Sequence, residues 1–202
     1  MKVLVFDTET TGLPTERNAP INETHKFPHI MQLSYILYDT EWRETVIVRD
    51  DYIKVAETVI ISEGSVAIHG ITREISVQRG IPLEEALARF NAHVLMADVI
   101  VAHNLAFDKT MIGVECVRLN LESPFTHKDE HCTMLQNIET CKLPNKSAYN
   151  KNNSYKWPTL AELHKHCFAS VPQGLHNALT DVRACLRCYL YLNHQYDMDK
   201  VI

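Results

Sequence analysis

Residues 2–8 (KVLVFDT) are β-branched and aromatic and end in polar positions, which reads as a buried strand. Gly12-Leu13-Pro14 breaks that run, and residues 15–28, polar and proline-bearing, read as a loop. Two more strands are predicted at 30–38 and 44–53, joined at Asp39-Thr40-Glu41, so that the three form a meander. The period then changes. Leu83, Ala86, Leu87 and Phe90 recur at helical spacing within residues 82–96, with Pro82 near the first turn and Glu84-Glu85 at the positive end of the dipole. Residues 98–102 form a short apolar strand and 105–119 a second helix. A third helix is predicted over 159–167 and a fourth over 177–191, whose inward stripe is Leu179, Val182, Leu186 and Leu190. Strands first, then helices interleaved with a short strand, predict an α/β fold: a mixed sheet flanked by helices.

A chain of 202 residues fits one domain over its whole length and can bury a core without disulfides. With 46% hydrophobic and 22% charged residues it has ordinary globular composition, and no run approaches the ~18 apolar residues of a membrane span. Asp7 comes too early for a signal peptide, and six cysteines without one read as free thiols in a reducing, intracellular compartment, cytoplasmic or nuclear. Cys185 and Cys188 form a C-x-x-C, but no second pair accompanies them, so core thiols are favoured over zinc. A net charge of −5 argues against a strongly basic, non-specific nucleic-acid binder. It leaves open an enzyme that meets phosphate through metal ions. One stretch departs from this balance. The loop at 142–158 (beginning KLPNKSAYNKNNSYKW) carries four lysines and no acid. Tyr149, Tyr155 and Trp157 among those lysines suit stacking on single-stranded bases; the alternative is a solvated loop with Trp157 tucked into the core.

Three short motifs place acids where a strand or loop meets the next element. In Asp7-Thr8-Glu9, alternate strand residues share a face, so the two carboxylates project together. Such a pair is costly to bury unless a cation holds it, and oxygen donors suit Mg²⁺ or Mn²⁺. In His103-Asn104-Leu105-Ala106-Phe107-Asp108, Asn104 can cap a helix that carries Asp108 in its first turn. In His176-Asn177-Ala178-Leu179-Thr180-Asp181, a histidine precedes the last helix and an acid sits in its first turn. Each motif alone reads more readily as ordinary capping or a solvated strand end than as a site.

Together, in this order, they resemble the DEDD superfamily of 3′→5′ exonucleases on the ribonuclease H-like fold. Asp7-Thr8-Glu9-Thr10-Thr11-Gly12 is similar to the first motif, residues 103–108 to the second, and His176 with Asp181 to the third. A histidine five residues before the last acid marks the His branch, DEDDh, whose DnaQ-like group includes the proofreading subunits of bacterial DNA polymerase III. Ile68-His69-Gly70-Ile71-Thr72 resembles the segment that the family sets against the 3′-terminal nucleotide.

The resemblance implies two divalent ions, Mg²⁺ or Mn²⁺, held by Asp7, Glu9, Asp108 and Asp181, with His176 as general base. It implies single-stranded DNA or RNA 3′ ends as substrate and nucleoside 5′-monophosphates as product, with a polymerase as a possible partner. By the same resemblance Thr10 offers backbone contacts to the terminal 3′-OH, and Ile68 and His69 pack against the last base or sugar. Phe107 adds an apolar wall, and His103 supports Asn104 or phosphate. Two rival readings remain: an oligonucleotide-clearing ribonuclease, and a non-catalytic nucleic-acid-binding module on the same fold.

Overall fold

The computed structural model describes residues 1–145 and 155–200. Five strands form one mixed sheet in the order β3-β2-β1-β4-β5. The meander consists of β1 (Lys2–Thr10), β2 (Ile30–Asp39) and β3 (Glu44–Tyr52), paired antiparallel. On the other side of β1, β4 (Val99–Ala102) and β5 (Asp129–Cys132) run parallel to it. The helices described are α1 (Glu63–His69), α2 (Arg73–Arg79), α3 (Leu83–Met96), α4 (Leu105–Arg118), α5 (Ile138–Cys141), α6 (Leu160–Phe168) and α7 (Ala178–His194). None of them is long and apolar enough to cross a membrane.

The central strand β1 is buried from both sides, and its alternation assigns each side a helix layer. Leu4 and Phe6 pack with Leu87, Phe90 and Val94 of α3 and Met111 and Ile112 of α4. Val3 and Val5 face the other way, onto Val182, Cys185, Leu186 and Leu190 of α7. Continued by two residues, the same alternation turns Asp7 and Glu9 towards the α7 layer and Thr8 towards α4.

The meander and the helices at 82–96, 105–119, 159–167 and 177–191 match these elements to within a few residues. Three differences have physical causes. β1 runs on to Thr10, because Glu9 and Thr10 still pair with Gln32 and Ile30 across a bulge. Segment β5 is Asp-Glu-His-Cys, without an apolar pattern; it is a strand only because it pairs with the edge of β4. The helices α1 and α2 have seven residues each and are separated by Gly70. Each is fixed by a cap, Ser62 for α1 and Thr72 for α2, rather than by a long apolar stripe. Of the basic stretch, residues 146–154 lie outside the described residues, Tyr149 among them. All six cysteines are free, with Cys116, Cys185 and Cys188 buried.

Candidate active site

Three elements deliver the acids. Asp7 and Glu9 come from the C-terminal end of β1, Asp108 from the first turn of α4, and Asp181 from the first turn of α7. One carboxylate oxygen each from Asp7, Glu9 and Asp181 lies within 4.8 Å of the others. Asp108 enters from the opposite layer and is held by Thr8: its Oδ1 accepts the Thr8 N–H at 3.0 Å and the Thr8 hydroxyl at 2.7 Å. The residue between the two acids of β1 thus orients the third.

The start of α7 is fixed in two ways. Asn177 caps it, its Oδ1 accepting the Thr180 N–H at 3.3 Å. The Ala178 N–H is donated to Gln32 Oε1 at 3.3 Å. Gln32 lies opposite Glu9 in the β1–β2 register, is fully buried, and donates its own Nε2 to Asp50 at 2.6 Å. Neither Thr8 nor Gln32 announces this role in the sequence, since it depends on strand register and on which helix lies on which face.

Every member of the cluster is shifted upward. Burial is the main cause for each. For Asp7, whose carboxyl is held well above the usual range, Asp108, Asp181 and Glu9 add to it. Burial, with Asp181 and Asp108, pushes Glu9 up to about 8. Asp108 rises to about 7, with the Thr8 hydrogen bonds opposing, and Asp181 to about 6, with the His176 N–H opposing. Burial thus opposes ionisation at all four carboxyls. The donor set is all oxygen, clustered, and short of positive charge, which fits hard divalent cations.

His176 is exposed, with a left-handed backbone (φ 69°), and its N–H points at both Asp181 oxygens, 3.3 and 3.2 Å away. Thr10 is buried; its hydroxyl donates to Gly12 O at 2.7 Å. His69 lies over the end of β1. Its Nδ1 accepts the Ile71 N–H at 2.9 Å, so its Nε2–H donates to Thr10 O at 3.1 Å. Burial holds its pKa below the ordinary histidine value. Gly70, at φ 73°, ends α1 in a conformation open to glycine and leaves Ile68 60% exposed on the rim. Phe107 is half-buried against the core, while Asn104 is exposed. Asn104 occupies the cap position of α4 in a left-handed conformation (φ 71°), and its side chain makes no cap bond, unlike the expected side-chain cap. His103 has both ring nitrogens within hydrogen-bond distance of protein atoms: Nδ1 is 3.0 Å from the Thr133 hydroxyl and Nε2 is 3.1 Å from Pro158 O. Burial lowers its pKa to about 4, so it is neutral at pH 7.

Residues 4–189 match the RNase T family model, described as Exonuclease. The chain therefore belongs to this exonuclease family. No curated protein matches it. Solved structures share the fold. E. coli Exonuclease I in complex with a dT13 oligonucleotide aligns with TM-score 0.69 at 18% identity, over 96% of this chain and 42% of that one. The nuclease domain of 3′hExo, a DEDDh family member bound to rAMP, aligns with TM-score 0.65 at 15% identity, over 98% and 94%. A 3′-exonuclease that recognises the histone mRNA stem-loop aligns with TM-score 0.70 at 13% identity, over 98% and 83%. The chain spans less than half the length of Exonuclease I.

Proposed function

We propose that the protein is a DEDDh-type 3′→5′ exonuclease that hydrolyses the terminal phosphodiester of single-stranded ends and releases nucleoside 5′-monophosphates. The observation that carries this reading is the meeting of Asp7, Glu9 and Asp181 oxygens within 4.8 Å, with Asp108 fixed beside them by Thr8. Those four side chains would hold two divalent ions, Mg²⁺ or Mn²⁺. When bound, such ions offset the carboxylate charge and stabilise charge developing on the phosphate and the leaving 3′ oxygen.

The chain's own residues supply the rest. His176 takes the proton from the attacking water as general base. As the water oxygen bonds to phosphorus, the bond to the 3′ oxygen of the preceding nucleotide breaks. The 5′-phosphate leaves with the terminal nucleoside. Thr10, His69 and Ile68 form the wall against which that nucleoside would rest. His69 fixes the Thr10 carbonyl, and Ile68 offers an exposed apolar edge.

Exonuclease I bound to dT13 and 3′hExo bound to rAMP make DNA and RNA ends equal first substrates. The test is digestion of 5′-labelled DNA and RNA oligonucleotides, single- and double-stranded, with Mg²⁺, Mn²⁺ or EDTA. A ladder shortening from the 3′ end with metal, absent with EDTA, is the expected result. Metal-dependent binding without shortening would instead favour a non-catalytic nucleic-acid-binding module.

A further inference from the structure

Trp157 is not tucked into the core: it is 52% exposed and lines a groove of about 500 Å³ that also takes in Ala106 and Phe107 of the α4 turn that carries Asp108. The same groove is lined by Phe107, the residue before Asp108, and by Leu13, Asn104 and Arg17. An indole and a phenyl ring lining one groove provide apolar faces for a flat aromatic ligand. The side chains of Arg17 and Asn104 are exposed and make no hydrogen bond or ion pair among the described residues, whereas Glu16, also on this rim, pairs with Lys26, a cation it shares with Glu23. The groove therefore joins aromatic faces to an unneutralised cation and a free amide, which matches a base with its phosphate.

The platform is also held in advance. On one side of Trp157, the Lys156 N–H is donated to Leu143 O at 2.9 Å and the Lys156 ammonium is paired with Glu162 at 2.6 Å. On the other, His103 donates Nε2–H to the Pro158 carbonyl, since a carbonyl can only accept. A histidine next to the catalytic α4 turn thereby fixes the backbone that carries the indole. Such pre-positioning lowers the ordering cost of binding.

We propose that Trp157 and Phe107 form a stacking bay for an upstream base of the single strand, and that His103 is the positioning residue that holds Trp157 in place. The proposal deepens the exonuclease reading and rests on it.

The test uses Trp fluorescence and kinetics. The chain has two tryptophans, and Trp42 lies on the β2–β3 turn, 78% exposed, so a Trp42→Phe protein reports Trp157 alone. Titrating it with decathymidylate or decauridylate in Ca²⁺ should quench the emission. Trp157→Ala should raise KM for the same oligonucleotides about tenfold while kcat stays within about twofold, and Trp157→Phe should restore most of the loss. His103→Ala should raise KM in the same way and weaken the quench. An active protein whose Trp157→Ala variant keeps its KM, or whose Trp157 emission ignores both oligonucleotides, would overturn the bay and leave the exonuclease reading intact. A wild-type protein that neither binds nor shortens either oligonucleotide would remove both.

Discussion

His176 is tied to the cluster by its backbone, while its imidazole has no hydrogen-bond partner among the described residues. A ring so placed can be removed without unpicking the fold. His176→Ala is expected to lower kcat by ~10²–10⁴, the usual loss for a general base, and to leave the melting temperature and metal uptake unchanged. Single-turnover assays with calorimetric Mn²⁺ titration check both parts, and unaltered turnover would take His176 out of the mechanism. At this scale the sequence shows the acids well, because alternate positions on a strand and first-turn positions on helices are set by local geometry alone. Thr8 and Gln32 are different. What Thr8 touches depends on the helix packed beneath it, and what Gln32 touches depends on the register of β2 against β1. Neither is written in the neighbouring residues. The side chain of Asn104, expected to cap α4, points elsewhere because the left-handed backbone there already turns the chain.

Among the elements, the loop between β1 and β2 is the unusual one, since it is polar yet packed on α4. Its carbonyls at Thr24, Phe27 and Pro28 all accept from the Arg118 guanidinium at 2.7–2.9 Å. Arg118 in turn pairs at 2.8 Å with Glu115, a fully buried acid that also accepts the Ile30 N–H at 3.1 Å. This arrangement fixes the entry to β2 and so the strand that carries Gln32. Deleting the arginine leaves the buried Glu115 carboxylate without its guanidinium partner and the Phe27 and Pro28 carbonyls without their donor. Arg118→Ala is expected to cost about 3–5 kcal/mol, a fall in Tm of about 10 °C, measured by urea and thermal unfolding. Arg118→Ala combined with Glu115→Leu should recover part of that loss. Long helices and paired apolar strands are legible from periodicity, which their packing imposes on the sequence. The pieces α1, α2, α5 and β5 are not, since seven residues or fewer held by caps or an edge pairing carry too little pattern.

For the whole molecule, the acidic cluster makes stability depend on pH and on cations together. Glu9 at about 8, Asp108 at about 7 and Asp181 at about 6 all lie above their ordinary values, and Asp7 is raised as well. In the unfolded chain these acids titrate near pH 4. Between pH 4 and 8 these acids consequently bind more protons in the folded protein than in the unfolded chain, and the cluster's contribution to the stability of the metal-free fold falls as pH rises through that window. Divalent cations bind the ionised form and displace those protons, so their effect runs in the opposite direction and grows with pH. Millimolar Mn²⁺ is expected to raise Tm by about 5–10 °C at pH 8 and by about 1 °C or less at pH 5. Replacing one member separates this cluster from the remaining titratable groups, some of which, such as Asp197 beside Arg187, shift downward. Asp7→Asn removes a buried repulsion, so at pH 8 without metal it should melt about 2–4 °C above wild type while losing both nuclease activity and most of the Mn²⁺ gain. Differential scanning calorimetry of the two proteins at pH 5 and pH 8, with EDTA or Mn²⁺, reads all of these at once. A Mn²⁺ gain equal at both pH values would mean that these four carboxyls are not the groups that bind the ion.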